Sequence, residues 1–108
     1  MSGDMVGRWE VMISYEAHSD VPAGALDEVS RLLKSWSPVE DAHAHLEDGG
    51  AYRATGATVV VPHEQPWGGL EVALTLVPEA LAGIGVRVGT LREMIVRPAG
   101  QDPRAANH

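Results

Sequence analysis

The stretch VEDAHAHLEDGGAYRATGATVVVP, residues 39–62, decides how the rest of the chain is read. Asp41, His43, His45 and Glu47 alternate with Ala42, Ala44 and Leu46, the period of two that marks a strand with one buried face. Asp48-Gly49-Gly50 then supplies residues that tolerate positive φ, and the returning run ends in Val59-Val60-Val61, so the spacing predicts a β-hairpin. A two-residue turn at Asp48-Gly49 or at Gly49-Gly50 puts Asp41, His43, His45 and Glu47 on one face with Tyr52, Ala54, Gly56, Thr58 and Val60, because moving the turn by one step keeps the parity of pairing. A three-residue loop with a bulge reverses that sharing.

Upstream, RWEVMISYE (8–16) places Trp9, Val11, Ile13 and Tyr15 on one side and Glu10, Met12, Ser14 and Glu16 on the other, which predicts a first strand. Asp20, followed by Val21-Pro22, suits an N-cap with proline in the first turn. From Ala23 to Trp36, Leu26, Val29, Leu33 and Trp36 form a helical stripe that Leu32 widens, and Ser37-Pro38 ends it. Downstream of the hairpin, Trp67, Leu70, Leu74, Val77 and Leu81 fall on one stripe of a second helix, although Leu70, Val72, Leu74 and Leu76 also satisfy a strand pattern. Pro66 before Trp67 and the length of the segment favour the helix, with Gly83 as its C-cap and Pro78 as a kink or a break. A last strand is predicted from Ile84 to about Arg97, with Leu91, Glu93 and Ile95 out of phase with Val86 and Val88 across a bulge near Gly89.

The order β-α-β-β-α-β is the split βαβ arrangement of ferredoxin-like domains: an α+β fold with a four-stranded antiparallel sheet, strand order 4-1-3-2, and two helices on one face. The expected organisation is one domain over residues 1–97 and a flexible C-terminal tail over 98–108. At 108 residues and 44% hydrophobic content the chain can bury one modest core. Fifteen acidic against eight basic side chains leave a net charge of −7, which repels a phosphate backbone and argues against nucleic acid. No run of about 20 apolar residues is present to cross a bilayer, and the first ten residues lack the basic start and apolar core of a signal peptide. With no cysteine, disulfides and thiolate chemistry are excluded, and a cytoplasmic protein is expected.

Chemistry is sparse. His43 and His45, about 7 Å apart on one strand face, could lean onto one ion with Asp41 or Glu47, a donor set that suits zinc or a similar divalent metal. The same imidazoles between carboxylates could serve as a general base in a cleft, or gain charge near pH 6. His63, in the loop after Pro62, Trp67 and Tyr52 are candidates for a pocket rim. The blander expectation is that these histidines are polar residues on a solvated strand and loop. WGGLEV (67–72) matches neither G-x-G-x-x-G nor G-x-x-x-x-G-K-[ST], and no G-x-S-x-G elbow is present, so no catalytic set is assigned and no cofactor is required. The expected function is a non-enzymatic interaction or regulatory module that forms a homodimer, and has an acidic surface for a protein partner. Its contact would be the uncovered sheet face or a strand edge, since Met12, Tyr52 and Val60 would otherwise lie exposed. The alternative is a small-molecule or metal-binding dimeric α+β barrel using His43 and His45.

Overall fold

The structure is a computed structural model that describes residues 7–49 and 52–99. It contains β1 (Arg8–Ala17), α1 (Ala25–Lys34), β2 (Asp41–Asp48), β3 (Arg53–Pro62), α2 (Pro66–Gly83) and β4 (Val88–Pro98). The strands form one antiparallel sheet in the order β2-β3-β1-β4, which from the opposite edge is β4-β1-β3-β2. One sheet face carries Val11, Ile13, Tyr15, Ala42, Ala57, Val59 and Val61, and it shares a single core with Val29 and Leu33 of α1 and Ala73, Val77, Ala80 and Leu81 of α2. Trp9 and Trp36 pack against that core, as their places in the two stripes imply.

α1 starts later than the Asp20-Val21-Pro22 signal suggests. Its N-cap is Gly24, without a side-chain cap bond, and the Pro22 carbonyl accepts from Ala25 N–H in the turn before it. Asp20 instead faces Arg53 at 3.4 Å. Trp36 lies past the helix end, in the turn toward Pro38.

α2 is one continuous helix with Pro78 inside it, and of the predicted stripe Val77 and Leu81 are buried and Leu70 packs against the core, while the two remaining members are not. Gly68, Gly69, Ala73, Val77, Ala80 and Leu81 are buried, whereas Trp67 is 65% and Leu74 37% exposed. The reason is the closeness of the helix to β1. A Cβ on Gly69 would lie 3.2 Å from Trp9 Cβ, so only small residues fit there and the bulky ones rotate outward. Gly83 is the last helical residue rather than the C-cap. Ile84 is the C-cap, Gly85 takes φ +88, and the bonds Val86 N–H to Leu81 O (2.9 Å) and Gly85 N–H to Ala82 O (3.0 Å) close a Schellman motif. Residues 84–87, expected in the last strand, are therefore helix terminus and connection.

The β1–β4 register slips twice, between Ser14 and Tyr15 and between Tyr15 and Ala17. One slip falls at residues 89–90, where a bulge is expected; the other makes Arg92 an extra residue. Leu91 consequently pairs with Tyr15 on the core side while Glu93 and Ile95 pair with Ser14 and Met12 on the outer side, which separates residues the sequence pattern groups together. Pro98 still belongs to β4, and the rest of the expected tail, from residue 100, lies outside the described residues.

A candidate site on the open sheet face

The hairpin pairs Asp41 with Val60, His43 with Thr58, His45 with Gly56 and Glu47 with Ala54, so the predicted sharing of faces holds. Asp48 pairs with Arg53 and Gly49 N–H bonds the Tyr52 carbonyl at 2.8 Å, so both are still paired rather than in a tight turn; Gly50, the other residue of the predicted turn, lies outside the described residues. Pairing of β3 with β1 and of β1 with β4 extends each couple into a row across the outer face. Asp41, Val60, Glu10 and Arg97 form the first row; His43, Thr58, Met12 and Ile95 the second; His45, Gly56, Ser14 and Glu93 the third. Glu47, Ala54 and Glu16 begin a fourth, which the bulged Arg92 completes through its 3.8 Å contact with Glu16.

The third row holds an interaction that strand order alone would forbid. β3 separates β2 from β1, yet His45 Nε2 lies 3.3 Å from Ser14 Oγ because the intervening residue is Gly56. A Cβ there would run into the Ile13 carbonyl oxygen and stand 2.9 Å from Ser14 Cα. The imidazole thus lies over bare backbone and covers Ser14, which is 1% exposed. Burial is the largest influence on His45 and holds its pKa below the ordinary value, against the opposing pull of Glu47 and Glu93.

Serine, histidine and carboxylates in one row invite comparison with nucleophilic catalysis, but the geometry argues for packing. A hydroxyl with 1% exposure has no approach for a substrate, and His45 serves it as hydrogen-bond partner on an otherwise uncovered face. His43 turns the other way. Its Nε2 sits 3.6 Å from Asp41 Oδ2 with 77% of the side chain exposed, so the two rings diverge rather than converge on one point. Among the described residues, no group of three or more His, Cys, Asp or Glu is arranged to hold a metal ion.

The three rim candidates do not share one pocket. Tyr52 precedes the first residue of β3 and His63 follows its last, about 36 Å apart along an extended strand. Tyr52 lies instead under Arg92, whose guanidinium carbon is 4.9 Å from the ring centroid. Arg92 also meets Glu16, whose carboxylate takes a 2.9 Å contact from His18 that lowers its pKa. At the far end, His63 Nδ1 accepts from Gln65 N–H at 3.0 Å, its carbonyl accepts from Trp9 Nε1–H at 2.9 Å, and its ring occupies the space a Gly68 side chain would need. It locks the start of α2 onto β1. Two surface grooves, of about 300 Å³ beside Pro38, Val72 and Leu76 and about 280 Å³ beside Leu32 and Ile84, lie on the helical layer away from these residues.

Ser14 is the residue that sequence reasoning passed over, and Gly56, placed on the shared face, was not read as the gap through which His45 reaches it. Their signal was present only as a sum of registers, since Gly56 stands opposite His45 on one side and Ser14 on the other. No protein-family model matches this chain, and no curated protein matches it.

Proposed function

We propose that this chain is a non-enzymatic interaction module that acts as a homodimer in the cytoplasm, with a ferredoxin-like chain path and the open sheet face as its contact surface. The observation that carries this reading is the face itself, a four-stranded surface that neither helix covers. Its middle is apolar or small: Met12 and Val60 are half-buried, Ile95 is 42% exposed, and Ala54, Gly56 and Ser14 make a low floor. Four strands about 5 Å apart and about eight residues long give a footprint near 500 Å², toward the low end of interfaces that hold two proteins together. A contact of this size belongs with weak, transient associations, and micromolar affinity is the working expectation.

The face is preferred to the β2 edge because that strand already has two of its N–H groups bonded: Ala42 to Asp41 Oδ1 (2.9 Å) and Ala44 to Ser30 Oγ (2.8 Å). Among the described residues no helix is long and apolar enough to cross a membrane. Sedimentation velocity from about 1 to 500 µM tests the reading, since a micromolar dimer passes through its midpoint in that range. The wild type should shift from monomer to dimer, and Ile95→Glu should stay monomeric with an unchanged circular dichroism spectrum. A monomeric wild type throughout would remove the proposal, and so would an Ile95→Glu dimer of native affinity.

A further inference from the structure

The charges on the open face are not scattered. Glu10, Glu16, Asp41, Glu47 and Glu93 stand against Arg92 and Arg97, a net of −3 with histidines neutral, so two such faces repel unless they meet in a particular way. β2 contributes Asp41, His43, His45 and Glu47 in the four rows; β4 contributes Arg97, Ile95, Glu93 and the bulged Arg92. For aligned stacking, two two-fold axes in the plane between the faces keep the strands of both copies along one direction, and they pair these rows differently. An axis perpendicular to the strands sets Asp41 over Glu47, Glu10 over Glu16 and Arg97 over Arg92 of the second copy, like charge on like. An axis along the strands leaves each row in place and exchanges its ends. It sets Asp41 over Arg97, Glu47 over Arg92 and His45 over Glu93, with Met12 over Thr58 near the centre.

We infer that two copies of this chain stack open face on open face about a two-fold axis along the strands, so that β2 of each lies over β4 of the other and Asp41 meets Arg97. The inference rests on the self-association proposed above and specifies its geometry. Side-chain exposure supports it: Asp41 is 52% and Arg97 66% exposed, and Arg97 engages Glu10 through Nε at 2.8 Å, so that among the described residues its terminal nitrogens remain to take a second carboxylate. Sheet twist turns aligned sheets by about 30°, a displacement at the corners that arginine side chains span.

Charge reversal decides between the axes by the sign of its effect. Along the strands, Asp41→Arg and Arg97→Asp each create two like-charge contacts per dimer, and each should weaken self-association about tenfold at low ionic strength. Mixed one to one, the two variants should form a heterodimer with native affinity, because each reversed residue then meets its complement; Asp41→Arg/Arg97→Asp in one chain should recover it as well. Across the strands, Asp41→Arg would face Glu47 and tighten the dimer. Sedimentation of the wild type, both single variants, their mixture and the double variant, with circular dichroism as a check on folding, therefore separates the outcomes. A dimeric wild type with tightened or unchanged single variants, or a mixture that fails to recover, overturns the axis and leaves self-association standing. A monomeric wild type overturns both.

Discussion

Replacing Gly56 by alanine tests whether the close approach at the centre of the sheet is what places His45. The added methyl would meet the Ile13 carbonyl oxygen and stand 2.9 Å from both the Ile13 carbonyl carbon and Ser14 Cα, all of them backbone atoms that cannot rotate away. Relief requires β1 and β3 to part locally by about 1 Å from a spacing near 4.8 Å. Two ladder hydrogen bonds beside the Ser14–Gly56 pair weaken, at about 1 kcal/mol each, and the forced contact adds about 2 kcal/mol. The lower backbone entropy of alanine in the unfolded chain offsets about 0.7 kcal/mol. A net loss near 3 kcal/mol corresponds to a Tm lower by about 10–25 °C in a domain of this size. Urea and thermal unfolding by circular dichroism measure the loss, and a proton NMR titration of the imidazole supplies a local readout. With its bed over the backbone filled, His45 should move into solvent and its pKa rise toward the ordinary value. A loss under about 0.5 kcal/mol with the His45 titration unchanged would refute the argument.

Two further outcomes follow from the same sheet. Because burial depresses the His45 pKa in the folded state, the unfolded chain takes up a proton first; the contribution of this residue is complete above the ordinary value of 6.5 and declines as pH falls through it toward the lower folded value. Urea midpoints at pH 7.5 and 5.5 should therefore diverge more for the wild type than for His45→Asn, whereas the Glu16 contribution is lost only in more acid solution, below 4.5. Ser30→Ala should cost about 1–2 kcal/mol in urea unfolding, because the hydroxyl that gives to Leu26 O and accepts from Ala44 N–H ties α1 to the outer edge of β2; a neutral result would mean that water replaces it without cost.

The alternation in residues 8–16 and 41–47 made the first two strands and their faces legible, since a period of two survives any tertiary arrangement. The placement of His43 and His45 on one face with Gly56 was legible for the same reason. Which way those rings lean was not, because both conformers satisfy the strand pattern and only the neighbours on β1 distinguish them. The second helix misled in an instructive way. Trp67 and Leu74 lie at core spacing but are exposed, whereas Gly68, Gly69 and Ala73 are buried: at Gly69 the helix runs too close to Trp9 and Val11 for a side chain, and at Gly68 the His63 ring takes the space.

What the chain determines by itself is local and periodic: six elements in order, the two faces of β1 to β3, an acidic charge and the lack of any thiol. What only the tertiary structure decided is which faces meet. The sheet brings Asp41, Glu10 and Arg97 into one row from positions far apart in the chain, and brings His45 onto Ser14 across a glycine. The physical reason is that hydrogen-bonded register is a non-local quantity: each strand specifies its own alternation, but the row a residue joins depends on where every bulge and turn falls between the strands.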